Sequence, residues 1–338
     1  MLYVSAFTLM LVGCNKEQTV DPADAQDEVV EEVEEIITYP APFSGKQLEE
    51  ELTNRPVLVT INNQVEARPQ SGLSSADVVY EMLAEGEVTR LLALFQSEIP
   101  QSVGPIRSAR SYFIEVAKGL DAFYIAHGYS PEAKTMLANK VVDNINGMAY
   151  DGTLFIRSKD RKAPHNSYMP GENIEKSMEK VGASSLYTKK VSYSFYEDGE
   201  SVKIGETATK VNVRYGYSDS FNSTYTFSSD LGTYERSNGN NVTTDLVTNE
   251  PLQISNVLFF EMEHSIIDSY GRRDITIEPA GKAYVAQNGI IREVEWENQD
   301  GLLVAVEADG NQVKLVPGLT WVHFVPTNPG IASSVTSE

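Results

Sequence analysis

Cysteine and tryptophan are scarce in this chain of 338 residues, which has a single cysteine (Cys14) and two tryptophans. Basic residues are also few, with 27 lysines and arginines against 48 aspartates and glutamates. A single cysteine excludes structural disulfides, a cysteine-ligated metal cluster and the cysteine-dependent envelope transpeptidases. The formal net charge of −21 would repel a polyanion over most of the surface. We therefore predict no nucleic-acid partner.

The first apolar run, residues 2–12, is too short to span a bilayer but has the length of the core of a secretory signal. It ends in Leu11-Val12-Gly13-Cys14, which resembles the bacterial lipobox, where the cysteine is lipidated and becomes the mature N-terminus. The run departs from the usual signal because no Lys or Arg precedes it. We predict a lipoprotein signal segment over residues 1–14, with lipid on Cys14 as the link to the extracytoplasmic face of the membrane.

The segment that follows the signal is strongly acidic. Residues 15–52 carry twelve acidic side chains against Lys16 and Lys46, and they include few aromatic residues. Like charges with few aromatics favour an extended, solvated chain. We predict an acidic flexible tether over residues 15–53.

In the rest of the sequence, the spacing of the apolar residues changes near residue 189. Before that point, apolar runs of strand length are interspersed with segments whose apolar residues have helical spacing. The predicted strands are 57–61, 78–85, 88–97 and 122–126, and the predicted helices are 108–119, 131–139 and 172–181. After residue 189, short strands are separated by Gly, Asn, Asp and Ser turns. Tyr270–Asp274 is interpreted as one such solvated turn, with a polar surface lined by Arg272, Arg273 and Asp274 as the alternative. The sequence predicts an α+β fold, with an N-terminal mixed α/β sheet domain at 54–186 followed by an antiparallel β-rich domain at 187–330.

Two arginines lie where a helix is predicted to begin. Residues 53–165 hold twelve acids and twelve bases, so cations are relatively concentrated there. With Ser108 as the N-cap, Arg107 and Arg110 stand at the positive end of the helix dipole, each at a cost of about 0.3–1 kcal/mol. Their counter-charge is either a bound phosphate, sulfate or carboxylate, or a carboxylate of the chain. The candidates within the chain are Glu81, Glu85 and Glu98.

Histidines offer a second chemical possibility. His127 and His165 lie beside loop-forming residues, and with Asp77 or Glu81 they could form an acid–base or metal constellation. No spacing between histidines matches a metal-ligand motif, so we predict no metal and no cofactor. Ser177 and Lys180 satisfy the S-x-x-K pattern, but the companion motifs are missing and the match is ascribed to chance.

An ordered series of motifs runs through nearly all of the chain after the tether. The series comprises Arg68-Pro69-Gln70-Ser71-Gly72-Leu73, Ala76-Asp77-Val78-Val79-Tyr80-Glu81, Thr89-Arg90, Gly104-Pro105-Ile106-Arg107-Ser108-Ala109-Arg110, His127-Gly128, Arg161-Lys162-Ala163-Pro164-His165-Asn166 and the Gly318 to Trp321 segment. It resembles the YerB-like lipoproteins of Gram-positive bacteria. The resemblance implies a lipid-anchored envelope protein of two parts, and it carries over no catalytic residue.

These observations lead to a function hypothesis and two alternatives. We expect a cleft in the α+β domain that binds an anionic ligand, such as a phosphate- or carboxylate-bearing cell-wall fragment, or another envelope component. Its expected lining is Arg68, Arg90, Arg107, Arg110, His127, His165 and Asn166. The first alternative is a cell-wall hydrolase or transferase that uses His127 or His165 with Asp77 or Glu81; the second is a scaffold for other envelope proteins. The binding protein is the leading interpretation, ahead of the enzyme, because the sequence offers neither a nucleophile nor a metal-ligand motif in this region. The sequence does not indicate an oligomeric state.

Overall fold

The structure is a computed structural model that describes residues 37–197, 199–202, 204–277 and 279–338. Residues Thr38–Glu338 form one compact unit. The predicted signal segment, Cys14 and most of the predicted tether lie outside the described residues. In the described ranges, no helix has the length and apolar character needed to cross a membrane.

The first half of the unit alternates strands and helices. Its strands are β1 (Tyr39–Pro40), β2 (Gln47–Leu48), β3 (Val57–Asn62), β4 (Val78–Glu85), β5 (Val88–Phe95), β6 (Ser102–Val103), β7 (Phe123–Ala126), β8 (Asn144–Asn146), β9 (Ile156–Arg157) and β10 (Ser167–Pro170). Its helices are α1 (Ser111–Gly119), α2 (Pro131–Ala138), α3 (Gly147–Tyr150) and α4 (Glu172–Val181), with 3-10 turns at Val65–Ala67 and Leu73–Ser75.

The regular elements of the second half are almost all strands. They are β11 (Glu206–Thr207), β12 (Lys210–Val213), β13 (Ser223–Ser228), β14 (Thr233–Asn238), β15 (Asn241–Val242), β16 (Ile254–Ile266), β17 (Arg273–Thr276), β18 (Ala280–Gln287), β19 (Ile290–Gln299), β20 (Leu302–Val306), β21 (Leu319–Pro326) and β22 (Val335–Ser337), with one short helix, α5 (Ile331–Ser334), before β22. The content of strands and few helices confirms the predicted α+β class.

One sheet passes through both halves. Its hydrogen-bonded order is β8–β7–β3–β5–β4–β21–β16–β18–β19–β20. Strand β21 pairs in parallel with β4 on one side and with β16 on the other, so the β-rich half is not purely antiparallel. Consequently β3, β4, β7, β8, β16 and β21 all run in one direction, and their carboxyl ends lie at the same edge.

Both faces of the sheet are covered in the first half. Leu58 and Tyr80 belong to a hydrophobic cluster that includes α1, whereas Val59 and Val79 belong to a second cluster that includes Ile174 of α4. A strand that is buried on both faces has no polar face to alternate with. This burial explains why β3 and β4 are nearly continuous apolar runs.

Strands β3 and β7 separate towards their carboxyl ends, and residues 105–109 fill the gap. The two strands pair over only the first three residues of each. Beyond that, the Arg107 N–H donates to the Thr60 carbonyl over 2.8 Å, and the Arg107 carbonyl accepts from the His127 N–H over 3.0 Å. The motif that contains Arg107 therefore crosses the carboxyl edge in extended form.

This extended segment corrects the predicted start of the helix. We expected Ser108 to cap a helix over 108–119, but α1 begins at Ser111, and Arg110 is its N-cap with extended backbone angles. The hydrogen bonds of residues 105–109 to β3 and β7 compete with a helical first turn. The expectation that the arginines stand at the helix start still holds for Arg110.

Candidate anion-binding cleft

A cleft opens at the carboxyl edge, beside the segment that fills the gap. Ligands of open α/β sheets bind in crevices at this edge, where neighbouring strands diverge. The cleft has a volume of about 390 Å³. Its lining residues are Glu85, Arg90, Arg107, Ser108, Arg110, Tyr129, Ser130, Tyr270 and Arg272.

Two carboxylates partly balance the four arginines of the cleft. Arg90 Nη2 donates to Glu85 over 2.9 Å, and Arg110 Nη2 contacts the other oxygen of the same carboxylate. Arg272 pairs with Asp268 over 2.7 Å. Of the three carboxylates considered from the sequence, Glu85 is thus the counter-charge of Arg110, while Glu98 accepts a hydrogen bond from Ser75 over 2.6 Å.

Arg107 lacks a carboxylate partner among the residues that the structure describes. Burial, and to a smaller extent the neighbouring charge of Arg90, lower the pKa of Arg107 to about 10. Arg110, with only 5% of its surface exposed, also has a buried Nε without a hydrogen-bond partner. Four guanidinium groups face two carboxylates here, so the cleft carries an excess of positive charge that suits an anion.

His127 lies next to this cleft but is committed to its neighbours. Arg157 Nη2 donates to His127 Nε2 over 3.0 Å, so the ring proton is on Nδ1 and is donated to the Ser167 hydroxyl over 2.7 Å. Burial and the charge of Arg157 lower the pKa of His127, which favours the neutral ring. Because its lone pair accepts from Arg157, the ring offers no free base in this arrangement.

His165 and Asn166 contact different partners. Asn62 donates its side-chain amide to His165 Nδ1 over 2.9 Å, and Asn166 accepts from Arg157 over 3.0 Å. Asn166 therefore belongs to the His127 cluster, and His165 belongs to the end of β3. The described contacts do not join the two histidines to each other.

Glu81 lies in the core, away from both histidines. Its fully buried carboxylate accepts from Arg236 over 2.9 Å, from the Trp321 indole over 3.0 Å and from the Thr89 hydroxyl over 2.8 Å. Burial opposes the charged form, but the charge of Arg236 and the hydrogen bonds from Thr89 and Trp321 favour it, so the pKa of Glu81 is lowered. This network joins β4 and β5 to β14 and β21, which gives Glu81 a structural role.

Arg68 borders a second, smaller groove of about 290 Å³. It donates to the side chain and to the carbonyl of Asn63 over 3.1 and 2.8 Å, and it lies 5.7 Å from the ring of Phe221. Burial, followed by the charge of Arg236, lowers its pKa to about 10. Arg68 therefore does not line the cleft of Arg107.

Asp77 holds the end of the β4–β5 hairpin. It accepts from the main-chain N–H groups of Gln96 and Ser97 over 2.7 and 2.9 Å, and from the Ser97 hydroxyl. Asp77 and Glu81 are both buried and hydrogen-bonded to other groups, and neither contacts His127 or His165 within the described ranges. The structure therefore does not form the acid–base site considered from the sequence. In the described part of the chain, no group of three His, Cys, Asp or Glu side chains is placed to hold a metal ion.

Sequence reasoning assigned Arg90, Arg107 and Arg110 to a cleft, but it did not assign the fourth cleft arginine, Arg272, or the neighbouring Tyr270. Arg272 and Tyr270 were interpreted as parts of a turn, and that turn folds back to the cleft from the other half of the chain. Arg157, which fixes His127, was also not singled out. The available signal was the density of chemically active side chains in residues 270–274, but local sequence does not show where a turn docks.

Comparison with known proteins gives consistent matches over most of the chain. Residues 43–184 match the model of the N-terminal domain, and residues 211–322 that of the C-terminal domain, of the protein of unknown function DUF3048. The chain is 41% identical over 288 residues to "Putative lipoprotein YerB" of Bacillus subtilis, covering 85% of this chain and 86% of that protein. The crystal structure of the YerB protein from Bacillus subtilis matches with a TM-score of 0.80 at 38% identity, covering 89% of this chain and 99% of that chain.

Proposed function

From the premise that this chain belongs to the DUF3048 family of YerB-like proteins, we propose that it is a lipoprotein that binds an anionic component of the cell envelope in the arginine cleft. The name of the Bacillus subtilis relative supports the lipoprotein part. Lipid on Cys14 anchors the compact unit to the extracytoplasmic face of the membrane. The ligand carries phosphate or carboxylate groups.

The observation that carries the binding proposal is the state of Arg107. Its guanidinium group lines the cleft without a carboxylate partner among the described residues, whereas Arg90 and Arg110 share Glu85. A half-buried guanidinium that lacks such a partner is stabilised by an incoming anion, and a charge-assisted hydrogen bond contributes about 1.5–3 kcal/mol. An anion bound to Arg107 also offsets its repulsion from Arg90.

Replacing Arg107 alone tests the proposal without disturbing the Glu85 pair. In calorimetric titrations with inorganic phosphate and with poly(glycerol phosphate), we expect Arg107→Gln to weaken binding about tenfold or more, because one charge-assisted contact is lost. Arg214→Gln is the matched control, since Arg214 is exposed, changes the net charge equally and does not line the cleft. Equal affinities of Arg107→Gln and the unmodified protein for both probes would contradict the proposal.

A further inference from the structure

An exposed apolar turn stands beside the arginine cleft. The last residue of β16, Ile266, is 61% exposed, and Ile267 and Tyr270 of the turn that leads to β17 are 51% and 79% exposed. Large apolar side chains that are exposed together in a soluble protein mark a surface that contacts something apolar. None of these three residues is needed for the core, so the turn is available for such a contact.

The turn and the cleft form one surface. Tyr270 and Arg272 line the cleft, and the backbones of Arg272 and Glu85 form an isolated antiparallel β-bridge. The Gly86 N–H donates to the Gly271 carbonyl over 3.1 Å, which fixes the turn against the β4–β5 hairpin. Ile267 closes the same turn, because its N–H donates to the Arg272 carbonyl over 2.9 Å. Partners in antiparallel strands share a face, so Ile267 is on the side of the cleft-lining Arg272, whereas Ile266, the partner of Arg273, is on the other side. A ligand held by the arginines therefore has Ile267 and Tyr270 at its side.

We infer that the cleft takes a phosphate-bearing lipid, with the phosphate on Arg107 and an acyl chain along Ile267. This inference rests on the proposed function, because it names the class of anion that the cleft binds. Tyr270 lies between the two parts, and tyrosine commonly occupies the level of the head groups at a membrane surface. The charge of the cleft and the apolar turn thus match the two ends of one amphiphile.

The acidity of the whole protein does not prevent this binding. The net charge of −21 opposes approach to an anionic surface. At physiological salt, however, the Debye length is about 8 Å, so exposed acidic groups farther than that are largely screened. The guanidinium groups of the cleft contact the phosphate directly and are screened much less. Selectivity for the lipid should therefore depend on the cleft and its turn.

A monomeric short-chain lipid tests the inference. Because residues 38–338 form one compact unit, the assay uses this part, which lacks the apolar run 2–12 that would itself bind lipid. Dihexanoyl phosphatidylglycerol, its deacylated head group glycerophosphoglycerol, and dihexanoyl phosphatidylcholine are titrated below their micelle concentrations. We expect the anionic lipid to bind at least tenfold more tightly than its head group, and more tightly than the zwitterionic lipid.

Two variants separate this inference from the proposed function. Ile267→Ser should remove most of the tenfold advantage of the lipid and leave head-group binding unchanged, whereas Arg107→Gln should weaken both. Leu231→Ser is the matched control, because Leu231 is a similarly exposed aliphatic residue that does not line the cleft. Equal affinities for lipid and head group would overturn the inference and leave the proposed function standing. Lipid binding that is unchanged in Arg107→Gln would overturn both.

Discussion

Among single residues, His323 shows how the core tolerates a buried charge. Tyr215 donates its proton to the Glu81 carbonyl over 3.2 Å, so its oxygen accepts from His323 Nδ1 over 2.9 Å. Tyr225 then donates to Nε2 over 2.6 Å. The neutral imidazole is fully hydrogen-bonded, and burial lowers the pKa of His323 to about 3. Glu81 and Arg236 can therefore form their ion pair without a second buried cation.

The stability of the protein should fall as the pH is lowered from 6.5. Burial lowers the folded pKa values of His323 and His264 to about 3 and about 4, well below the value near 6.5 in the unfolded chain. Between these values the unfolded state binds protons that the folded state does not, so the free energy of unfolding decreases by up to about 1.4 kcal/mol per pH unit for each group. Because each unfolded ring is already half protonated at pH 6.5, lowering the pH to 5 should cost about 3 kcal/mol for the two groups together.

Urea unfolding at pH 7, 6 and 5 measures this dependence in a range where most carboxylates stay ionised. His264→Gln should keep about half of the slope, because His264 is only partly buried near the end of β16 and its replacement leaves His323 in place. Equal free energies of unfolding at pH 7 and pH 5 would show that neither ring is held neutral.

At the level of elements, the segment that fills the gap between β3 and β7 packs so closely on the chain after β7 that position 128 must be a glycine. Its φ of +94° is in the left-handed region, and an added Cβ would lie 2.6 Å from the Ser108 hydroxyl. Gly128 also accepts from the Ala109 N–H over 3.0 Å, which continues the pairing of the inserted segment with the chain after β7. A side chain here would force the Ser108 hydroxyl away from the His127 carbonyl to which it donates over 3.3 Å, and it would crowd the Ser108 Cβ at 3.3 Å.

We expect Gly128→Ala to lower the free energy of unfolding by about 2–5 kcal/mol, from backbone strain together with the steric contact. Gly152→Ala is the control, because Gly152 has a φ of +76° but nothing within 4 Å of the added Cβ. It should cost only about 1–2 kcal/mol of strain. Thermal or urea unfolding compares the two variants, and equal losses would argue against a close fit between Gly128 and Ser108.

Local sequence predicted most elements of the first half but not how they are joined. The predicted strand at 78–85 and helix at 172–181 coincide with β4 and α4, because their apolar periods are long and clear. The extended course of residues 105–109 was missed, since it depends on hydrogen bonds to strands about twenty to forty-five residues away in sequence. The sequence likewise predicted arginines at the start of the helix. It did not predict that Tyr270, which is far away in sequence, lines the same cleft as those arginines.

At the level of the whole molecule, the junction between the two halves is a continuous part of the core. Strand β21 is hydrogen-bonded to β4, and the Glu81 carboxylate receives Arg236 and Trp321 from the second half. Breaking a buried ion pair by removing one partner costs about 3–5 kcal/mol, because the remaining charge stays buried. The two segments that match separate family models should therefore depend on each other for stability.

Expression of the halves tests this dependence. Residues 38–197 alone should show no cooperative unfolding transition in near-ultraviolet circular dichroism, because Glu81 and the edge of β4 lose their partners. Residues 38–338 should unfold in a single transition. As a control, residues 38–197 and 198–338 produced together should purify as a complex. A cooperative transition in the isolated first half would contradict this interpretation.

The position of Trp321 gives the junction an optical signal of its own. The indole donates to Glu81 and lies under Arg236, whose guanidinium carbon is 4.7 Å from the ring centroid. The other tryptophan, Trp296, is stacked on Phe260 at 5.7 Å in the outer part of the sheet. Replacing Trp296 with Phe would leave an intrinsic fluorophore at the junction. Its emission would then move to longer wavelength when β21 leaves β4, which makes separation of the halves visible without a label.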